Sequence, residues 1–180
     1  MIITYHGAGM VKVAHGEWVA VFDPIGRSAE FKSSRFGADL ALVSFNDPLY
    51  NGVAEVTFGN RRPFVVDGPG EYERAGTFIR GFAAAGPEGK INTVYDLMLD
   101  GKRLVHLGAL TRADLPDSIK QELMSMDILF APVGEPRLAA PLAYQLALAL
   151  NPCVIIPVHH TRETLRQFLK EAGGEEIKPA

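Results

Sequence analysis

The chain has 180 residues, of which 47% are hydrophobic and 22% are charged, and its formal net charge at pH 7 is −3. This length suits one globular domain covering residues 1–180, and the mild acidity argues against a nucleic-acid partner. No apolar run reaches the roughly 18 residues that a membrane helix requires, and the first predicted strand begins without a basic leader. We therefore expect a cytoplasmic protein with no membrane partner. The single cysteine, Cys153, excludes an internal disulfide and is predicted to be a small buried hydrophobic residue.

The first half of the chain is rich in short β-prone segments separated by glycine and proline. Asp23-Pro24 ends the third segment, because proline has no N–H to donate and restricts the residue before it. Asp100-Gly101 joins the last two segments as a hairpin turn. The predicted strands are Ile2–Tyr5, Val11–Ala14, Trp18–Phe22, Ala38–Val43, Glu55–Phe58, Pro63–Val66, Thr77–Phe82, Thr93–Leu99 and Arg103–His106.

The second half changes to a helical period that alternates with apolar strands. Three helices are predicted: the first covers Pro116–Met126, the second has the apolar stripe Leu138, Leu142, Leu146 and Leu150, and the third starts at a Thr161 cap and packs through Leu165, Phe168, Leu169 and Ala172. The strands between them are Ile128–Ala131 and Val154–Val158. Hairpins followed by strand–helix alternation indicate an α/β protein with sheets flanked by helices.

Several sequence blocks, in register along the chain, resemble the metallo-β-lactamase superfamily, and more closely its small branch of ascorbate-6-phosphate lactonase-like proteins. The blocks include Val21-Phe22-Asp23-Pro24, the run from Asp67 to Glu73, His106-Leu107-Gly108 and Ile156-Pro157-Val158-His159. The resemblance implies an αβ/βα sandwich with two mixed β-sheets flanked by helices. It also implies a metal-dependent hydrolase, with lactones or phosphoesters as the expected substrate classes.

The positions that would bind zinc in that family carry unsuitable side chains in this chain. The family's H-x-H-x-D-H loop falls on Phe45, Asp47, Leu49 and Tyr50, and its bridging aspartate falls on Ala109. Of the implied ligands only His159 is present, with Asp47 as a carboxylate in place of a histidine. Phenylalanine and leucine have no lone pair to donate, and the tyrosine hydroxyl titrates near about 10. A catalytic zinc needs about three protein ligands, so we expect no metal site, with Asp47 and His159 as the residual candidates.

Each of these residues can also be interpreted without a role in metal binding or catalysis. Asp47 and Asn46 satisfy a turn, His106 is a hydrogen-bonded structural residue, and His159 is either a hydrogen-bonded histidine at a strand end or part of a relic cleft. Phe45, Leu49 and Tyr50 would then fill the former metal cavity with apolar bulk.

Two functional hypotheses follow from this sequence. The first is a non-catalytic binding or structural protein without a cofactor, whose partner is an unknown small molecule or protein and which could form a homo-oligomer. The alternative is a lactone or phosphoester hydrolase with an atypical mononuclear zinc or manganese site around Asp47 and His159.

Overall fold

The computed structural model describes residues 1–27 and 35–174, which form eleven strands and three α-helices. The strands are β1 (Ile2–Tyr5), β2 (Val11–His15), β3 (Trp18–Phe22), β4 (Leu40–Leu42), β5 (Phe64–Val66), β6 (Gly70–Arg74), β7 (Thr77–Ala85), β8 (Ile91–Leu99), β9 (Lys102–His106), β10 (Ile128–Pro132) and β11 (Val154–Val158). The helices are α1 (Asp117–Leu123), α2 (Ala140–Leu150) and α3 (Arg162–Glu171). No helix of the described ranges is long and apolar enough to cross a membrane.

The strands form two mixed sheets. Sheet A has the order β1-β2-β3-β4-β5, with β3, β4 and β5 parallel and the first two pairings antiparallel. Sheet B has the order β11-β10-β9-β8-β7-β6, with β9, β10 and β11 parallel and the remaining pairings antiparallel. The predicted fold class, an α/β sandwich of two mixed sheets with helices, is confirmed.

Apolar residues from both sheets form the central core. Phe22 and Leu42 of sheet A belong to one buried cluster with Leu97 and Phe130 of sheet B, and all four are inaccessible to solvent. A second cluster joins sheet B to the three helices, where Phe168 of α3 packs with strand residues. Burial of this kind is the main favourable free energy of the fold. It fixes the relative position of the loops that leave the two sheets.

Several details differ from the sequence prediction. The Glu55–Phe58 strand is wrong, because Val53–Val56 forms a 3₁₀ helix in which the buried Glu55 carboxylate pairs with Arg27, with 2.7 Å between Oε1 and Nε. The predicted burial of Cys153 is also wrong, since this residue is exposed just before edge strand β11.

The helix predictions need smaller corrections. Helix α1 ends at Leu123 rather than Met126, although both side chains are fully buried. Leu142 of the predicted α2 stripe is 47% exposed, and the alanines of α2 share the buried face with Leu146 and Leu150. Strand β6 was not predicted, because its Gly70–Arg74 sequence is mostly charged and mostly exposed.

Carboxyl ends of the parallel strands in the two sheets meet at one edge. Strand β3 ends before Asp23, β4 ends before the segment from Ser44 to Gly52, and β9 ends before Gly108. The backbone N–H of Thr93 in sheet B donates to the Ser44 carbonyl across this edge, at 2.9 Å. Loops that follow parallel strands at such an edge are the usual location of binding and catalytic groups.

Candidate functional site

The segment from Ser44 to Gly52 leaves strand β4 as a hydrogen-bonded turn. Asp47 Oδ1 accepts a hydrogen bond from the backbone N–H of Leu49 at 2.9 Å. Asn51 Nδ2 donates to Asn46 Oδ1 at 2.9 Å on the exposed side of the turn. Both contacts are the local side-chain bonds that Asp and Asn make in turns. The prediction that Asp47 and Asn46 satisfy the turn is confirmed.

Phe45, Tyr50 and Ala109 form a small buried cluster at this edge, with Leu49 packed against it. Phe45 is 8% exposed and Tyr50 is 2% exposed, while Ala109 is inaccessible. The Phe45 and Tyr50 rings meet edge to face, with 5.7 Å between their centroids. This is a favoured geometry for aromatic pairs. Four residues that the resemblance aligns with metal ligands of the family therefore pack against one another.

Arg137, in the loop between β10 and α2, binds the Tyr50 hydroxyl. Its Nε donates to Tyr50 Oη at 2.7 Å and its Nη2 donates to the same oxygen, and the guanidinium carbon lies 5.6 Å from the Tyr50 ring centroid. Burial raises the pKa of Tyr50 to about 12, although the charge and hydrogen bonds of Arg137 act to lower it. The phenol is therefore neutral at physiological pH. Sequence reasoning missed Arg137, which is separated from Tyr50 by 87 positions and lies in no motif.

His159 lies behind Tyr50, with 5.1 Å between the two ring centroids. Its Nε2 is buried and has no hydrogen-bond partner among the described residues. A Cβ on Gly9 would stand only 2.4 Å from this nitrogen, so the absence of a side chain at Gly9 is what makes room for the imidazole. Burial lowers the pKa of His159 well below 6.5, and the charge of Arg137 lowers it further. The interpretation of His159 as a hydrogen-bonded histidine does not hold for Nε2.

A buried polar network supports the loops from behind. Asp23 accepts hydrogen bonds from the Ser44 backbone N–H at 2.7 Å and from the Ser44 hydroxyl at 2.8 Å. His106 Nδ1 lies 3.6 Å from Asp23 Oδ2 and accepts the Gly108 N–H at 3.0 Å, while its Nε2 lies 2.9 Å from the Gly9 carbonyl oxygen. Because a carbonyl can only accept, the proton resides on Nε2 and the imidazole is neutral. The structural interpretation of His106 is confirmed.

Burial sets the protonation of the two titratable groups in this network. It raises the pKa of Asp23 to about 7, against the lowering effect of the two Ser44 hydrogen bonds. It lowers the pKa of His106 to about 4, against the raising effect of the Gly9 carbonyl. Both groups are completely buried, and the desolvation cost of a charged form is then the largest contribution.

Asn92 fixes the loop that carries Ala109. Its Oδ1 accepts the Ala109 N–H at 2.7 Å and its Nδ2 donates to the Leu107 carbonyl at 2.9 Å. Between them Gly108 has a φ of 62°, and a Cβ there would lie 2.4 Å from Ser44 Cβ. Glycine is therefore required at this position both by conformation and by space. Neither this clamp nor the role of Ser44 was predicted.

The donor set at this edge does not fit a metal ion. Phe45, Leu49 and Ala109 offer no lone pair, and the Tyr50 oxygen is occupied by the guanidinium of Arg137. Among residues 1–27 and 35–174, no three His, Cys, Asp or Glu side chains are placed to share a metal ion. The two residual candidates, Asp47 and His159, fall short of the roughly three ligands that a catalytic zinc uses.

Comparison with known proteins assigns the chain to a family. A family model described as the β-lactamase superfamily domain matches residues 2–159. No curated protein matches the sequence.

Solved structures extend the comparison to the whole fold. A candidate Zn-dependent hydrolase of the metallo-β-lactamase superfamily from Thermotoga maritima is 27% identical, with 93% of this chain and 84% of the other covered and a TM-score of 0.76. A candidate metal-dependent hydrolase from Parabacteroides distasonis is 18% identical, with 96% and 90% covered and a TM-score of 0.73. The metallo hydrolase Igni18 from Ignicoccus hospitalis is 15% identical, with 96% and 92% covered and a TM-score of 0.66. The chain belongs to the metallo-β-lactamase superfamily.

Proposed function

We propose that this chain is a pseudo-hydrolase: a metallo-β-lactamase-fold protein that binds a ligand and does not carry out metal-dependent hydrolysis. The pairing of Tyr50 with Arg137 carries the proposal, because a protein cation stands beside the residue that replaces a metal ligand. The charge of Arg137 lowers the pKa values of Asp23, Tyr50 and His159. The guanidinium thus supplies a positive charge at the border of the Phe45, Tyr50 and Ala109 cluster.

Electrostatic repulsion opposes the binding of a metal ion next to the Arg137 guanidinium. Two cations a few ångströms apart repel one another, and the repulsion grows as the surroundings become less polar. Arginine cannot relieve it by losing a proton, since its pKa exceeds about 12. Without a metal ion Tyr50 is a neutral phenol, because burial raises its pKa to about 12, and so it does not neutralise the guanidinium. In this proposal the site is stable without a metal ion, because the aromatic rings and the Arg137 guanidinium fill the space between the loops.

The alternative function is a hydrolase with a mononuclear zinc or manganese site around Asp47 and His159. One observation favours it, namely the 27% identity to a candidate Zn-dependent hydrolase. The geometry argues against it, because Asp47 Oδ1 already accepts the Leu49 N–H and His159 Nε2 faces Gly9 at close range. A zinc or manganese ion held by one histidine and one carboxylate would also have fewer than the roughly three protein ligands of a catalytic site, in which the metal lowers the pKa of its bound water to about 7.

Turnover assays decide between these functions. Purified protein is supplied with zinc or manganese and tested on a nitrophenyl phosphodiester and on a simple lactone. We expect no rate above that of the metal alone. The matched pair of variants is His159→Ala, at the candidate ligand, and His15→Ala, at an exposed histidine that pairs with Asp100. Metal-dependent turnover that is abolished in the first variant and unchanged in the second would establish the hydrolase.

A further inference from the structure

A cavity of about 670 Å³ lies next to the Phe45 side of the site. It is lined by the connection between β7 and β8, from Ala85 to Lys90, together with Thr111, Arg112 and Pro136. The Lys90 ammonium lies 5.9 Å from the Phe45 ring centroid, and Pro136 directly precedes Arg137, so the cavity adjoins the aromatic cluster. Its volume lies within the range of small-molecule sites, about 300–1,000 Å³.

The polar groups around the cavity have spare hydrogen-bond donors. Lys90 Nζ donates to Glu88 Oε2 at 2.9 Å, and an ammonium has three N–H groups. Arg112 uses Nε and Nη2 to bind Asp114, and its Nη1 has no partner among the described residues. The Thr111 hydroxyl, in contrast, is within 3.2 Å of the Ala85 and Gly86 carbonyls. The unused donors therefore belong to the two cations.

Both carboxylates near these cations are exposed and exchangeable. The side chains of Glu88 and Asp114 are 76% and 58% exposed, and those of Lys90 and Arg112 are 63% and 70% exposed. Ion pairs at such exposure contribute only about 0–1 kcal/mol, so an incoming anion can compete for the cations. Of the charged residues that line the cavity, two are cationic and one, Glu88, is acidic. Because Asp114 pairs with Arg112 and balances the second cation, an anionic ligand binds here by displacing an exposed carboxylate from its cation.

An adjoining cavity provides space for an apolar body. It has a volume of about 330 Å³ and shares Ala85 and Arg112 with the first cavity. Its remaining lining is apolar apart from Asp114 and consists of Ala83, Ala84, Leu115 and Pro116. The Arg112 side chain thus borders both spaces, which places a charged group at the boundary between the two cavities.

We propose that these two cavities together bind a small molecule with an apolar body and one anionic group of the carboxylate, phosphate or sulfonate class. Lys90 and Arg112 contact the anion, and the alanine and proline side chains contact the apolar part. The inference rests on the proposed function, because it takes the Phe45 cluster as a closed wall beside the ligand rather than as an opening to a metal ion.

A fluorescent probe of this chemical class tests the site. The probe is 8-anilinonaphthalene-1-sulfonate, and its uncharged counterpart is N-phenyl-1-naphthylamine, which has the same aromatic body without the sulfonate. The variants are Lys90→Met with Arg112→Met, which remove the charges and keep unbranched, flexible side chains at both positions. The control is Lys102→Met, at another exposed lysine that is paired with a carboxylate. Thermal melts of each variant verify that it is folded.

We expect saturable binding of the sulfonate by the wild-type protein and weaker binding of the neutral probe. The double variant should lose about tenfold in sulfonate affinity, since two charge-assisted contacts are removed, and the control should bind like the wild type. Equal binding of the two probes, an unchanged affinity in the folded double variant, or no saturable binding would overturn the proposal. The zinc content of the same preparation is measured separately. Metal-free protein without probe binding contradicts only the ligand site, and stoichiometric zinc contradicts the proposed function.

Discussion

Two neighbouring regions at the same sheet edge are stabilised by different kinds of interaction. The front region, formed by Phe45, Leu49, Tyr50, Ala109 and Arg137, is an apolar cluster with the Arg137 guanidinium at its border. The rear region, formed by Asp23, Ser44, Asn92, His106 and Gly108, is a buried hydrogen-bonded network. The front region takes its stability from packing and the rear from satisfied polar groups. The polar network that positions the loops is therefore distinct from the side chains that determine what those loops can bind.

The rear network should be the more sensitive of the two regions to a single substitution. In Asn92→Ala the buried Leu107 carbonyl and Ala109 N–H lose the side-chain partner that both share in the structure. Each unsatisfied buried group costs about 1–3 kcal/mol, so we expect a loss of about 4 kcal/mol in the free energy of unfolding. Denaturant titration measures it. Asn46→Ala, at an exposed amide that accepts a hydrogen bond from Asn51, is the control and should change stability by less than about 0.5 kcal/mol.

The same network should give stability a distinctive pH dependence. The folded-state pKa of Asp23 is raised from 3.8 to about 7, so its native carboxyl remains protonated where the unfolded one ionises. Asp23 therefore lowers stability progressively as the pH rises from about 4 to about 7. His106 has the opposite sign, because its pKa is lowered to about 4 and protonation of the unfolded state reduces stability as the pH falls below 6.5. The two slopes oppose one another between pH 4 and 6.5.

Asp23→Asn isolates the carboxyl contribution. The stability of the variant relative to the wild type should rise from pH 4 to pH 7, by up to about 4 kcal/mol for a shift of this size. The variant alone should become steeper on acidification, because the histidine slope is no longer opposed. Unfolding titrations at several pH values measure both curves. A difference between variant and wild type that does not change with pH would contradict the buried, neutral carboxyl.

The front cluster should tolerate change better, although its aromatic residue still matters. Phe45→Ala should reduce the free energy of unfolding by about 3 kcal/mol, the lower end of the range for emptying a buried aromatic position, because Phe45 lies near the surface. Phe58→Ala is the matched control, since Phe58 is 54% exposed. If both substitutions cost equally little, Phe45 does not close the site.

The smallest effect is expected for the hydroxyl that joins the front cluster to Arg137. Tyr50→Phe preserves the ring and removes the oxygen that accepts from the guanidinium. The half-buried Arg137 then depends on water and its remaining contacts, and we expect a loss of about 1–2 kcal/mol. Tyr144→Phe in α2, whose ring packs on Phe168, is the control for removal of a tyrosine hydroxyl. Equal effects in the two variants would mean that the Tyr50–Arg137 pair adds no stability.

Local patterns were informative where periodicity and packing agree and failed where distant residues decide the outcome. Strands such as Trp18–Phe22 and Val154–Val158 were predicted to the residue, and the resemblance located the segment around Phe45 and Tyr50. The strand predicted at Glu55–Phe58 failed because a short alternating run does not show that Glu55 pairs with Arg27. The contact between Arg137 and Tyr50 could not be predicted for the same reason, because it joins two loops that come together only in the folded protein.

The zinc content of untagged protein tests the central claim, that Arg137 and the aromatic cluster take the place of a metal centre. Elemental analysis is combined with thermal melts in excess zinc and in excess chelator, because a ligand that binds only the native state raises stability by RT ln(1 + [L]/Kd). The account predicts far less than one zinc ion per chain and the same melting temperature under both conditions. One zinc ion per chain, with a melting temperature that falls in chelator, would contradict it.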